Sequence, residues 1–429
     1  MNQSTDSKNI FRSFFIIGGL LVLVKFIGLI KEIYLGNTFG ISYELDSYYL
    51  ALTIATFIPA AIVSAIPPIL VPRFIKEKDI MNNTTGVILL FCAIVSFLLA
   101  GTYLIFNDIF LNFYNTDSNS KMIEATSIAL NYFSVLPLLI IFISVFSSYL
   151  IANEKDINSI LELIPSTIII AFVFFLSTSL GYISIVFGHL LGSFTHLILL
   201  IVVCLRLGFK FNFHFTKEYF FSFKEIGYGA VILLFGQFFM TFLGPIDSMF
   251  VVNFGEGSLT TYNYANRFIA ILMSLGSVII LRVLLPRFTK INKDKRKNQS
   301  LLFSLIGFII ASIICFYMNF FINDLILFAF DGGNISPQEL GVVIELTRVG
   351  LLQFPFFIAG LILLQVLIVQ KNYFAIASVS IVNLIIKTIS NIYFIEIYGF
   401  SGLMYAWIAM YTFSLLLIII LFLHHHKYD

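Results

Sequence analysis

Long apolar runs, separated by short polar segments, make up most of this chain. A helix needs about 20 apolar residues to cross roughly 30 Å of hydrocarbon. Twelve runs are long enough, near residues 12–36, 46–72, 86–107, 124–152, 158–179, 182–206, 226–253, 260–286, 301–323, 341–370, 374–396 and 400–423. The pattern predicts an all-α polytopic membrane protein with twelve transmembrane helices. The first run begins near Phe14 with no small-residue cleavage pattern behind it, and Lys25, Lys31 and Glu32 interrupt its second half. It therefore reads as a retained span and not as a signal peptide.

Lysine and arginine fall between these runs on one predicted side. One set of segments holds Lys8 and Arg12; Arg73, Lys76 and Lys78; Lys155; Arg206, Lys210, Lys217 and Lys224; Arg287, Lys290, Lys293, Lys295, Arg296 and Lys297; Lys371; and Lys427. The alternate loops hold Lys121 alone. The positive-inside rule puts both termini in the cytoplasm and independently supports an even number of spans.

The chain also repeats itself. DSYYLALTIATFIPAAIVSAIPPILVPRF from Asp46 aligns without gaps on TTYNYANRFIAILMSLGSVIILRVLLPRF from Thr260, matching Tyr48 to Tyr262, Ala51 to Ala265 and Pro72-Arg73-Phe74 to Pro286-Arg287-Phe288. The segments around Pro137 and Pro355 pair at nearly the same offset. An even number of spans per repeat predicts parallel lobes related by an axis along the membrane normal. The expected layout is an N-terminal six-helix lobe over 1–206, a basic cytoplasmic linker over 207–225 and a C-terminal six-helix lobe over 226–429. Transporters built this way put their substrate site in a central cavity between the repeats.

Composition fixes the solvent: 59% of residues are apolar, 17% aromatic and only 11% charged, with a mean hydropathy of +0.99. Such values exclude a soluble domain, and the bilayer is the first partner. The net charge of +2 reflects topology, so no nucleic-acid partner is expected. Cys92, Cys204 and Cys315 are far apart inside apolar runs and read as lipid- or core-facing fillers, neither a disulfide framework nor a zinc motif. His189 and His196 share a helix face, too few ligands for a metal, and read as packing groups.

Charges inside the runs carry the chemistry. Lys25, Lys31, Glu32, Asp247, Arg267, Arg282, Arg348 and Lys387 lie within predicted spans. A cation at mid-bilayer costs about 2.5 to 3.5 kcal/mol on insertion scales, so such groups pair or face a wet pathway. Arg282 and Arg348 sit near helix ends, where headgroups suit them. Lys31 has two readings, a cavity group or a side chain that snorkels to the interface. Lys25, Asp247 and Lys387 are deeper, and Arg267 stands about two turns in. Inward-facing cations outnumbering acids focus a positive potential on an anionic ligand, and phosphates suit guanidinium and ammonium donors.

Two regions resemble a known family: KFIGLIKEIYLGNTFGISYELDSYYLA in the first two spans, and more specifically GEGSLTTYNYANRFIAILMSLGSVIILRVLLPRF in the eighth. They resemble the MurJ/MviN lipid II flippases, within the multidrug and oligosaccharidyl-lipid exporter (MOP) superfamily that includes MATE transporters. The resemblance implies an alternating-access flippase, not an enzyme. It would act in the bacterial inner membrane and move a polyprenyl-diphosphate-linked oligosaccharide to the outer leaflet. By position, Lys25 and Lys31 stand where such flippases have arginines, Glu32 and Asp46 match acids of the first and second helices, and Arg267 falls on the motif arginine directed at the diphosphate. Asp247 and Asn383 resemble a cation site of part of the family.

The chain departs from that family in three respects. Pro59 and Ala60 replace an arginine pair, the runs number twelve where lipid II flippases have fourteen, and Lys387 stands where an acid would help bind a metal. A tethered ammonium would replace the ion, forming a buried pair with Asp247. These departures favour an O-antigen, capsule or exopolysaccharide unit as cargo, with lipid II as the other candidate. No cofactor is expected; a coupling ion, Na+ or H+, stays open, and the chain is expected to act as a monomer. The alternatives are a multidrug/cation antiporter of the same superfamily, which should carry more interior acids than bases, or a membrane glycan ligase or polymerase.

Overall fold

The computed structural model describes residues 3–76, 78–114, 120–155, 157–212, 231–232, 234–291, 293–330, 333–370 and 372–425. Among them the chain is predominantly helical and contains no strand. The helices divide into two compact units. The first comprises Met1–Leu35 with Ser42–Leu234, and the second Gly36–Ile41 with Phe235–Asp429. The basic linker read over 207–225 lies outside the described residues from 213 onward.

The first unit holds α1 (Gln3–Phe39) up to Leu35, α2 (Tyr43–Lys76), α3 (Lys78–Ile105), α4 (Asn107–Asn112), α5 (Ser120–Phe133), α6 (Leu136–Ala152), α7 (Ile157–Leu161), α8 (Ile164–Leu180) and α9 (Ile183–Arg206). In it α2 packs on α5 and α6, and α8 on α9. The second unit holds α10 (Leu243–Val251), α11 (Ser258–Ile279), α12 (Leu285–Lys290), α13 (Lys293–Phe330), α14 (Pro337–Leu351), α15 (Phe354–Val369), α16 (Tyr373–Tyr398) and α17 (Gly402–His425). Here α16 packs on α17, α13 on α15, and α11 on α14.

Among the described residues seven helices are long and apolar enough to span a bilayer, or nine if the bent pairs α5–α6 and α14–α15 each count as one span. Tyr373–Phe422 is counted there as a single stretch. It folds as two helices, α16 and α17, because Gly399 at φ +57° ends the first of them, a left-handed position that suits glycine. The run predicted over 260–286 is also divided: α11 gives way to a π-helical turn over Ile280–Leu284 before α12 begins at Leu285 with Pro286 in its first turn. Proline there is compatible with a helix start but withholds the N–H an uninterrupted helix would need.

Proline also bends both related helix pairs, by 45° before Pro137 and by 40° before Pro355. A proline within a membrane helix frees the carbonyl four residues earlier, which then needs another donor. Two such donors are seen. In α2, which contains Pro59, Pro67, Pro68 and Pro72, the Ser144 hydroxyl of α6 donates to the Val63 carbonyl at 3.1 Å. In the second unit the Cys315 thiol donates to the Leu351 carbonyl at 3.0 Å. The cysteines are all buried and unbridged, and Cys315 is therefore more than a filler.

The α8–α9 contact is built on small residues. A Cβ at Gly188 would lie 2.9 Å from the Ile169 Cα, and one at Gly192 2.7 Å from the Pro165 Cα. This spacing of glycines lets helix backbones approach closely in lipid. Gly192→Val is expected to cost about 1–3 kcal/mol through overpacking, seen as a lower melting temperature in detergent. Gly101→Val, where nothing lies within 4 Å, should leave it unchanged.

Candidate functional site

In the first unit the buried polar groups gather where α1 and α2 meet α9. Lys31 and Glu32 are 8% and 6% exposed. The Lys31 ammonium lies 2.8 Å from Glu32 Oε1, and Glu32 Oε2 accepts from the Tyr49 hydroxyl at 2.6 Å. Neighbouring helical residues point about 100° apart, so the lysine chain must fold back to make this pair. Lys31 therefore does not snorkel to the interface; it is buried against a carboxylate. Its ammonium also stands 6.0 Å from the Tyr48 ring, whose hydroxyl is 3.0 Å from His189 Nδ1 in α9. Asp46 is fully buried in the first turn of α2, where the helix dipole favours an acid. Lys25 is half-buried and within electrostatic reach of Glu162.

A second cluster lies wholly inside the second unit. Lys387 of α16 is fully buried and Asp247 of α10 is 2% exposed; the ammonium sits 2.5 Å from Asp247 Oδ1. Asn391, one turn further along α16, accepts from Lys387 at 2.7 Å and donates to Asp247 Oδ1 at 2.9 Å. The Tyr262 hydroxyl of α11 donates to Asp247 Oδ2 and accepts from the Trp407 indole N–H of α17 at 2.8 Å. The same indole lies 4.8 Å from the Lys387 ammonium, ring to nitrogen. Asn383, one turn before Lys387, is buried with its amide nitrogen 3.9 Å from the Met240 sulfur, and its carbonyl oxygen has no hydrogen-bond partner among the described residues.

With Lys387 in place, the cation site that Asp247 and Asn383 resemble does not suit a dissolved ion. The lysine nitrogen already occupies the bonding distance of Asp247 Oδ1, and Asn383 is turned towards Met240. Among the described residues no group of three or more His, Cys, Asp or Glu side chains could hold a metal.

Arg267 is half-buried in α11, nine residues past Ser258, or about 13 Å along the helix at 1.5 Å per residue. Of the candidate groups, Lys25, Lys31, Glu32 and Asp46 belong to the first unit and Arg267, Asp247, Asn383 and Lys387 to the second. The structure joins Lys31 to Glu32 and Asp247 to Lys387. Sequence reasoning missed Tyr49, Tyr262, Asn391 and Trp407 as partners. Asn391 had a legible signal, since it follows Lys387 by one helical turn on the same face; so had Trp407, the single tryptophan of the chain.

This architecture recurs in solved structures. An inward-facing multidrug resistance MATE family transporter of the MOP superfamily aligns with a TM-score of 0.73 at 12% identity, covering 95% of this chain and 96% of that one. A structure described as lipid II flippase MurJ in an inward closed conformation aligns with a TM-score of 0.78 at 20% identity, covering 95% and 87%. The chain thus shares the polytopic helical fold of these structures. Residues 35–429 match the family model described as lipid II flippase MurJ, and the chain belongs to that family. A relative named lipid II flippase MurJ, from Thermosipho africanus (strain TCF52B), is 30% identical over 202 residues, 45% of this chain and 40% of the relative. The chain thus aligns with less than half the length of that curated relative.

Proposed function

We propose that this protein is an alternating-access flippase. It carries a polyprenyl-diphosphate-linked glycan from the inner to the outer leaflet of the bacterial inner membrane, with both termini in the cytoplasm. The observation that carries this reading is the family match over residues 35–429, and it favours lipid II as cargo. The intramembrane cations Lys25, Lys31 and Arg267, with the acids Glu32 and Asp46 in the first two helices, support an anionic headgroup as the ligand. Pro59 and Ala60, at positions where the resemblance would have arginines, keep another lipid-linked glycan as the second reading. Membrane potential can reset such a carrier, since one elementary charge moved through 100 mV is worth about 2.3 kcal/mol.

The test is replacement of the native lipid II flippase in a conditional strain. Sustained growth on depletion supports lipid II as cargo. Failure there, with restored surface polysaccharide in a strain lacking its own glycan flippase, assigns the second cargo. Neither rescue, with the protein verified in the membrane, overturns the flippase reading, and raised drug resistance on expression would assign an antiporter instead.

A further inference from the structure

The second-unit cluster consists of groups that bind cations. Around the Lys387 nitrogen stand a carboxylate oxygen of Asp247 at 2.5 Å and a carboxamide oxygen of Asn391 at 2.7 Å. The Trp407 ring face lies at 4.8 Å. Indole faces attract cations through their quadrupole. Asp247 is held in place by two further donors, Tyr262 at its other oxygen and Asn391 at its first, and Trp407 in turn donates to Tyr262. One turn away, the buried Asn383 carbonyl oxygen has no hydrogen-bond partner among the described residues. An acceptor-rich pocket with one negative charge requires one positive charge, since an unpaired buried ion is strongly disfavoured. Here the positive charge arrives covalently, on a side chain that is fully buried.

We propose that Lys387 is a built-in substitute for a bound alkali cation. Its ammonium fills a cation site formed by Asp247, Asn391 and Trp407, so the second unit is charge-balanced without Na+ or K+; removing the tether converts the site into one that binds them. The inference concerns the fold's need for an ion and stands whether or not the flippase reading does.

Melting temperatures of the purified full chain in detergent, at fixed ionic strength with choline, sodium or potassium as the cation, test it. Wild type is expected to melt at the same temperature in all three salts. Lys387→Ala should melt lower in choline and regain stability with rising Na+ or K+, in a saturable manner that Asp247→Asn/Lys387→Ala abolishes. Lys387→Arg, which keeps a tethered charge, should stay indifferent to the salt. If Lys387→Ala does not fold, Lys387→Asn takes its place, supplying an oxygen where the ammonium stood. A wild-type melting temperature that rises with Na+ or K+ and loses this response in Asp247→Asn overturns the proposal, as does a folded Lys387→Ala equally stable in the three salts. If neither variant folds, the wild-type comparison decides alone.

Discussion

Arg267→Ala is expected to abolish rescue of a flippase-depleted strain while the protein still accumulates in the membrane. Arg267 lies about 13 Å along α11, too deep for a residue that merely meets headgroups at the helix end, and it is half-buried. A guanidinium offers a planar fork of donors that matches a phosphate in a bidentate manner. A hydrogen bond to a charged group is worth about 1.5–3 kcal/mol, and about 1.4 kcal/mol is tenfold. Loss of this contact should therefore slow transport by roughly ten- to a hundredfold, measured as flipping of a labelled diphosphate lipid in proteoliposomes. Arg267→Lys keeps the charge without the fork and should recover part of the rate. Full rescue by Arg267→Ala would remove the residue from the substrate path.

Asp247→Asn should destabilise the second unit by about 3–5 kcal/mol, the range for breaking a buried ion pair by removing one partner. The reason is the uncompensated charge of Lys387: it is fully buried, its anionic partner is Asp247 Oδ1, and neutral carboxamide oxygens, of Asn391 and of the new side chain, would be left to meet it. Removing both charges is a different matter, because an apolar pair of similar volume is often neutral. Asp247→Leu/Lys387→Met should thus recover most of the loss in denaturant unfolding. The two single variants would then show a strong coupling in a double-mutant cycle. If Asp247→Asn melts with wild type, the pair does not hold these helices together.

Helix order was legible from run length alone, since lipid imposes a single period on every span. The runs near 182–206 and 374–396 reappear almost unchanged as α9 and α16. The division of runs was legible in part. The run over 124–152 has no dip in hydropathy, but Pro137 permits a bend there, and the run is two helices bent by 45°. At 280–284 the π-helical turn is composed of the same residues as its surroundings. Of the polar clusters, Asp247 and Lys387 announced themselves because charge in an apolar run is costly. Tyr262 and Trp407 did not, since an aromatic residue in a membrane helix is ordinary until its hydroxyl or indole N–H is seen to have a partner. Lys31 was left with two readings by the sequence. Its place near a helix end allowed snorkelling, and only the position of Glu32 Oε1 decided against it.

The burial of Cys92, Cys204 and Cys315 has a practical side. These are the only cysteines in the chain, and each is held within a helix bundle, one donating to the carbonyl released by Pro355. An unmodified chain is therefore a quiet background for membrane-impermeant maleimides. A single cysteine placed at Lys121, and another at Lys155, would report from which side of the membrane each loop can be labelled without first stripping the native thiols.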